Sequence, residues 1–325
     1  MGSPLLGIAL VAMAGLVYPV AFADPFARHL GILVCLYGTM STAWNLLGGY
    51  AGQVSLGHAL FFGIGAYTST VLLRWYLLSP WVGMLAGGVL AVLVSLLIGY
   101  PTFRLTGHYF SIATIAVAEI ANIGVTNWAE VGGAAGIRPP LLPEAFINLQ
   151  FQGKLPYYLI ALGMLVTALL TTYLIERSRW GYYFRAIRED AVAAASLGVN
   201  VTRYKLCAMA VSALLTSVAG TFYAQYVLYI DPSSTLALGL SILIALTAIL
   251  GGTGTLFGPL VGASVLVPLS ELTRVYLSGT ARAVDLLIYG FLIMVIAAFQ
   301  PRGLMGLATG WRRARRPRTA RRAIA

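Results

Sequence analysis

The sequence predicts an all-α fold, a polytopic transmembrane helical bundle that forms one domain over residues 1–325. Of the 325 residues, 59% are hydrophobic and only 10% are charged, whereas a soluble domain carries roughly a quarter charged residues. Apolar runs of about 20 residues, the length that crosses ~30 Å of bilayer hydrocarbon, recur along the whole chain. The two longest polar stretches, near 128–155 and 176–203, are too short for a separate catalytic domain.

Ten membrane spans are predicted, and alternating them places both termini on one side of the membrane. That side carries 15 of the 21 basic residues, including the basic tail 301–325 and the loop at about 176–203. The positive-inside rule makes this side cytoplasmic. The predicted spans are 5–23, 29–47, 54–73, 81–100, 108–127, 156–175, 204–229, 235–250, 257–274 and 284–299.

The first span has an alternative interpretation. Ala21-Phe22-Ala23 resembles an A-x-A cleavage site at the end of a short apolar region, as in a signal peptide. A span is favoured because no basic side chain precedes Leu5. Cleavage would leave the orientation of the other nine spans unchanged.

The positive charge of the chain is predicted to serve membrane topology. The net charge is +11, and the basic residues lie beside apolar runs. The arginine-rich tail is expected to contact anionic lipid headgroups, and no nucleic-acid partner is expected. Cys35 and Cys207 both lie inside apolar runs, so no disulfide framework is indicated.

Two glycine-rich stretches interrupt the apolar pattern, at 48–58 and at 251–259. Broken backbone survives at membrane depth only when it is buried or lines a cavity. Breaks in comparable places of two halves are one indication of a transport path. Close helix packing through small residues, or ordinary loops, explains the glycines equally well. Gln53, Ser55 and His58 add polar groups to the first break, and both interpretations remain open.

Glu119 lies near the middle of the fifth predicted span. Intramembrane carboxylates are costly and often functional, so Glu119 is a candidate for lining a path or handling protons. The alternative is a carboxyl group held by a buried polar neighbour such as Asn122. Coupling through Glu119 would make the chain an ion-driven secondary transporter.

No catalytic or nucleotide-binding motif occurs in the chain. Neither G-x-x-x-x-G-K-[ST], H-E-x-x-H, paired C-x-x-C nor G-x-S-x-G is present, and the three histidines form no metal-ligand pattern. An enzyme is therefore not expected, and neither a metal site nor a bound cofactor is predicted.

A short helix is predicted at about 184–197 in the long basic loop, ended by Gly198. Arg185 and Glu189 are spaced i, i+4, in the order that contributes less to an isolated helix. These charges are therefore expected to face either a partner protein or, in a linker helix, solvent.

Several motifs together resemble the permease subunits of branched-chain amino acid ABC importers, of the LivM type. They are Ala43–Tyr67, which contains N-L-L-G-G-Y-A-G-Q-V-S-L-G-H-A; Arg104–Thr114 followed by Glu119-Ile120; Gly181–Asn200 with its A-I-R-E-D core; and Gly251–Pro259. In the third motif Tyr182 occupies a position where the family commonly has arginine, and Val199 occupies one where it has isoleucine. The resemblance covers about residues 30–305.

The resemblance implies a multi-pass permease of the bacterial inner membrane that imports leucine, isoleucine and valine. It implies a second, similar permease, two ABC ATPase subunits that bind ATP and Mg²⁺, and a periplasmic substrate-binding protein. Urea and short amides are alternative substrates within the family. The implied ATPase-coupling residues are Arg185, Arg188, Glu189, Asp190, Ala194 and Gly198. The candidate path residues are Gly52, Gln53, Ser55, His58, Tyr109, Thr114, Glu119, Gly251 and Gly252.

Overall fold

The computed structural model describes residues 4–105, 107–276 and 303–306. Within these ranges the chain is almost entirely helical and contains no β-strand, only two isolated bridge pairs, which confirms the all-α prediction. The helices are α1 Pro4–Ala21, α2 Pro25–Asn45, α3 His58–Tyr76, α4 Pro80–Thr102, α5 His108–Thr126, α6 Lys154–Arg177, α7 Arg179–Glu189, α8 Ala191–Ser196, α9 Val201–Val227, α10 Pro232–Thr235, α11 Leu238–Gly251 and α12 Gly258–Tyr276.

Seven of the described helical stretches are long and apolar enough to cross a membrane: Pro4–Ala21, Pro25–Tyr50, Pro80–Thr102, His108–Thr126, Lys154–Arg177, Val201–Val227 and Pro232–Gly251. Helix α3 has the length, 19 residues, but its polar residues make it less apolar than the seven. Helix α12 contributes a shorter apolar stretch, Gly258–Thr273. The predicted span at 284–299 lies outside the described residues.

Helix α9 lies at the centre of the bundle and packs closely against α3. A Cβ added to Gly65 would lie 1.9 Å from the carbonyl oxygen of Ser217, and one added to Gly220 would lie 2.0 Å from that of Phe62. The hydroxyl of Thr221 donates to the Gly65 carbonyl at 3.0 Å. Only glycine permits backbones to approach this closely, which is the usual basis of helix association in membranes.

Helix α1 lies at the edge of the bundle, against α6. The Tyr158 hydroxyl donates to the carbonyl of Gly15 at 2.8 Å, and Gly15 faces Leu162 closely. Most other side chains of α1 are apolar and exposed, among them Leu10 and Val20, as expected for a helix that faces lipid. Whether residues 1–23 are cleaved stays an open prediction.

The loops that the alternating topology assigns to the non-cytoplasmic side meet at one end of the bundle. The backbones of Ile137 and Ile230 form an antiparallel bridge between the loops that follow α5 and α9. The Trp81 indole donates to the Phe146 carbonyl at 2.8 Å. The 176–203 segment lies at the other end, so the loops group as the topology requires. That this second end is cytoplasmic remains a prediction.

Candidate functional site

The first glycine-rich stretch is a true interruption between two helices. Helix α2 continues into one π-helical turn, Leu46–Tyr50, and residues 51–57 then run without helical structure to the start of α3. A Cβ on Gly49 would lie 1.8 Å from Oδ1 of Asn45. Gly52 has φ +71°, a conformation that costs glycine little and other residues more. The glycines therefore permit the chain to turn back at this point.

The non-helical segment 51–57 is held by side chains of its neighbours. The Trp44 indole donates to the Ser55 carbonyl at 2.7 Å. The hydroxyl of Thr114 on α5 accepts from the Leu56 amide at 3.0 Å, and the Ser111 hydroxyl donates to the Val54 carbonyl at 2.6 Å. These bonds satisfy backbone groups that would be costly at membrane depth. Thr114, a candidate path residue, thus supports the interruption.

His58 begins α3 and is fully buried in the contact with α9. Its Nε2 lies 2.7 Å from the Ser212 hydroxyl oxygen, and that hydroxyl donates to the Ala43 carbonyl at 2.6 Å. A serine hydroxyl has a single proton, so Nε2 of His58 is the donor to Ser212. Nδ1 of His58 is buried without a hydrogen-bond partner. The structure therefore places His58 in packed interior, away from any accessible surface.

The other candidate path residues of the first break differ in accessibility. Ser55 is buried, and its hydroxyl oxygen accepts from the Gly57 amide at 3.3 Å. Gly52 is exposed and Gln53 is half-buried, and the Gln53 amide nitrogen donates to the Gly52 carbonyl at 3.3 Å. Gly52 and Gln53 are the members of this group that a solute could reach.

The second glycine-rich stretch forms the tight turn between α11 and α12. A Cβ on Gly251 would lie 1.7 Å from the carbonyl oxygen of Gly258, and one on Gly262 would lie 1.9 Å from that of Thr247. Gly252, at φ +125°, is buried like Gly251. Close helix packing and a tight turn therefore account for both candidate path glycines of this stretch.

The two glycine-rich stretches meet, although about 200 residues separate them. The fully buried Asn45 accepts from the Gly254 amide at 2.8 Å and donates to the Thr255 carbonyl at 2.9 Å. Nη1 of Arg188, from the end of α7, donates to the Gly49 carbonyl at 2.6 Å. We call the set Asn45, Gly49, Gly254 and Arg188 the glycine junction.

The basic loop contains two helices where a single one was predicted at about 184–197, so that prediction is wrong in detail. Asp190 leaves the helical conformation, with φ −155° and ψ 109°, and separates α7 from α8. Its carboxylate accepts from the amides of Val192 and Ala193 at 2.8 and 2.9 Å. Aspartate stabilises a helix start far better than a helix interior, which explains the break. Gly198, at φ +85°, ends the segment as predicted.

The charged residues assigned to ATPase coupling divide into two groups. Arg185 pairs with Glu176 at 2.8 Å, and Arg188 bonds to Gly49, so both arginines point back to their own chain. Glu189 and Asp190 are exposed, as is Gly198. Ala194 is only 3% exposed and faces the bundle.

Two large apolar residues in and just after α8, which the sequence reasoning missed, are exposed. Val192 is 76% exposed and Leu197, just after the helix, is 86% exposed. We call these two residues the apolar patch. Their signal in the sequence is that they are the two large apolar residues in the otherwise small stretch 191–197.

Helix α5 presents a mostly apolar face that the described part of the chain does not cover. Tyr109, Ile112, Ile120 and Ile123 are all exposed there, and Glu119 lies among them, exposed as well. The Asn122 amide donates to the Glu119 carboxylate at 3.4 Å. A carboxylate near the middle of a membrane helix faces a protein interior or a water-filled space, not lipid.

Comparison with known proteins identifies the family. Residues 29–297 match the family described as branched-chain amino acid transport system / permease component. The chain belongs to this family. The permease protein LivM of the high-affinity branched-chain amino acid transport system of Escherichia coli K12 is 30% identical over 322 residues, which cover 91% of this chain and 74% of LivM.

Two further relatives belong to the same type of transport system. LivM of Salmonella typhimurium is 29% identical over 322 residues, covering 91% of this chain and 74% of its own length. LivH of E. coli K12 is 25% identical over 285 residues, covering 83% of this chain and 91% of LivH. No solved structure matches this chain. The predicted family resemblance is confirmed, and the protein is a multi-pass membrane protein of a branched-chain amino acid permease family.

Proposed function

We propose that this chain is the membrane-spanning subunit of an ATP-driven importer for leucine, isoleucine and valine in the bacterial inner membrane. The observation that carries the proposal is the α7–α8 segment. Arg185 and Arg188 fasten its inner side to the bundle, and the apolar patch, Val192 and Leu197, is exposed on its outer side. A rigidly held segment with an uncovered apolar surface is suited to bind a partner.

The partner proposed for the apolar patch is an ABC ATPase subunit. The chain has no nucleotide-binding motif, so ATP and Mg²⁺ would bind to two such subunits, with no cofactor on this chain. Docking of α8 in a groove of the ATPase would let ATP-driven closure displace α7. Ligand-driven shifts between outward-open and inward-open states would then move the substrate by alternating access.

A second, similar permease is proposed to cover α5. The carboxylate of Glu119 requires a protein or aqueous surrounding, and the apolar side chains around it fit a helix–helix contact. The translocation path would run beside this contact, with Tyr109, Gln53 and Glu119 among its accessible residues. At the opposite end of the bundle, the long loop 127–153 offers a surface for a periplasmic substrate-binding protein.

The substrate assignment rests on the relatives, whose names specify branched-chain amino acid transport. Urea and short amides are the alternative substrates. An ion-coupled transporter that uses Glu119 is the alternative mechanism. It predicts transport by the chain alone, without ATP.

Purification of the tagged chain from its native membrane in mild detergent tests the proposal. We expect two ATPase subunits and a second permease to co-purify. Proteoliposomes of this complex, given the binding protein outside and ATP inside, should accumulate labelled leucine, with valine and isoleucine as competitors. A non-hydrolysable ATP analogue is the control. Uptake of leucine by the isolated chain without ATP would overturn the mechanism, and uptake of labelled urea in place of leucine would overturn the substrate.

A further inference from the structure

Arg188 is exposed in part, but its guanidinium group reaches into the glycine junction. Its Nη1 donates to the Gly49 carbonyl at 2.6 Å, linking two segments 139 positions apart. A Cβ on Gly254 would lie 2.2 Å from the same nitrogen, and one on Gly52 would lie 3.1 Å from Cγ of Arg188. The arginine side chain therefore fills a space that glycine at 52 and 254 keeps open.

The acceptor of this bond lies where a helix ends. Gly49 belongs to the π-helical turn that terminates α2, and carbonyl groups at a helix C-terminus carry partial negative charge that attracts cations. Within the described residues, Glu176 is the carboxylate that forms a salt bridge with this segment, and its partner is Arg185. Arg188 is thus held by a charge-assisted bond to a backbone carbonyl, which can be broken and re-formed without separating a salt bridge.

The junction connects three parts of the structure. Asn45 joins α2 to the turn between α11 and α12, and Arg188 joins α7 to the same place. Helix α7 is also anchored by Phe184 and Ile187, which are buried in the bundle. A displacement of α7 by a bound subunit would therefore change the geometry at Gly49, which lies just before the non-helical segment 51–57 in the chain.

We propose that Arg188 is a positioning residue that transmits movement of the α7–α8 segment to the glycine junction, and that it is not a contact with the ATPase. This inference rests on the proposed ATP-driven function. It assigns Arg188 and the apolar patch different tasks: the patch binds the partner, and Arg188 connects that binding to the helix interruption. Losing Arg188 uncouples ATP hydrolysis from uptake while the complex stays assembled.

The experiment uses the whole complex in proteoliposomes and measures leucine uptake and ATP hydrolysis in the same vesicles. For Arg188→Ala we expect normal recovery of the ATPase subunits and sustained ATP hydrolysis. The number of leucine molecules transported per ATP hydrolysed should fall roughly tenfold. This is the lower end of the change in an equilibrium constant that loss of a charge-assisted hydrogen bond causes. Arg179→Ala removes the same charge from the same helix and should leave the ratio unchanged. Arg188→Lys, which keeps a charged donor on a different side chain, should fall between wild type and Arg188→Ala.

Two results overturn the proposal. Loss of ATPase subunits from Arg188→Ala would make Arg188 a docking contact, and an unchanged ratio of uptake to hydrolysis would make it a structural bond only. If Arg188→Ala does not accumulate in the membrane, the ratio of leucine uptake to ATP hydrolysis measured for Arg188→Lys tests the proposal instead. Failure of the proposed function itself is seen separately, because the unmodified complex would then show no ATP-dependent uptake.

Discussion

The side chain of Asn45 accepts a hydrogen bond from the backbone amide of Gly254 at 2.8 Å, which ties the end of α2 to the turn between α11 and α12. Its amide nitrogen also donates to the Thr255 carbonyl at 2.9 Å. One side chain thus satisfies a donor and an acceptor of a turn 209 positions away. Separating the end of α2 from this turn would break both hydrogen bonds.

Asn45→Ala is expected to destabilise the protein by about 1–3 kcal/mol, because it removes two hydrogen bonds that each contribute roughly 0.5–1.5 kcal/mol. Thermal unfolding of the purified chain in detergent measures the effect. Asn127→Ala is the matched control, since the Asn127 amide donates within its own helix end at an exposed position, and it should change stability by less than about 0.5 kcal/mol. Equal shifts in the two variants would contradict a stabilising role for the junction.

Most of the described membrane helices were predictable from the sequence, because continuous apolar runs of about 20 residues mark them. The fifth span was predicted at 108–127 and is found at His108–Thr126, and the fourth was predicted at 81–100 and is found at Pro80–Thr102. Helix ends were predicted less well where a single side chain decides them. Asp190 divides the predicted 184–197 helix because its carboxylate caps a new helix start, and the alanine-rich composition that follows hides this break.

The contacts of the candidate site were less predictable. The family motifs pointed to Arg188 and to both glycine-rich stretches, but Asn45 was not singled out. Nothing local to Arg188 indicates a carbonyl 139 positions away as its partner. The charges of the basic loop were expected to face a partner or solvent. Arg185 and Arg188 bind their own chain as well as being exposed, and the exposed surface of the segment contains Val192 and Leu197 beside its charges.

Leu197→Asp tests the apolar patch as the docking surface. A carboxylate in a buried apolar contact is strongly disfavoured, so we expect loss of the ATPase subunits from the purified complex and loss of ATP-dependent uptake, with normal membrane insertion. Leu141→Asp is the control for assembly alone: Leu141 is 81% exposed in the loop at the opposite end, so its substitution should leave the ATPase subunits bound. If the Leu197→Asp complex retains its ATPase subunits, docking occurs elsewhere.

Ser212→Ala tests the buried hydrogen bond of His58. Without the Ser212 hydroxyl, Nε2–H of His58 loses its acceptor in a site with no access to water, and we expect a loss of about 1–3 kcal/mol in stability. Ser264→Ala, at an exposed position where the hydroxyl bonds only to its own helix, should be close to neutral. Thermal unfolding in detergent compares the two. A neutral Ser212→Ala would show that the histidine finds another acceptor.

Glu119→Gln separates the two transport mechanisms. Glutamine keeps the size and the contact with Asn122 but cannot carry a charge, so ATP-driven leucine uptake should change by no more than about threefold, less than 1 kcal/mol. Without ATP, an imposed proton gradient should drive no uptake in either form. Glu130→Gln, in an exposed loop, is the control for the gradient experiment, which uses the chain without the binding protein. Gradient-driven uptake that disappears with Glu119→Gln would instead establish the ion-coupled mechanism.

Gly220→Ala and Gly163→Ala test the close packing of α9 against α3 by placing the same methyl group in two different surroundings. At Gly220 the new Cβ would lie 2.0 Å from the Phe62 carbonyl oxygen. Helices α3 and α9 must therefore separate, and we expect a loss of about 1–3 kcal/mol or more from overpacking. At Gly163, on the exposed side of α6, nothing lies within 4 Å of the new methyl group. There the higher helix propensity of alanine should raise stability by up to ~1 kcal/mol. Opposite shifts of the unfolding temperature are thus expected, and a stable Gly220→Ala would show that the α3–α9 contact is looser than the structure describes.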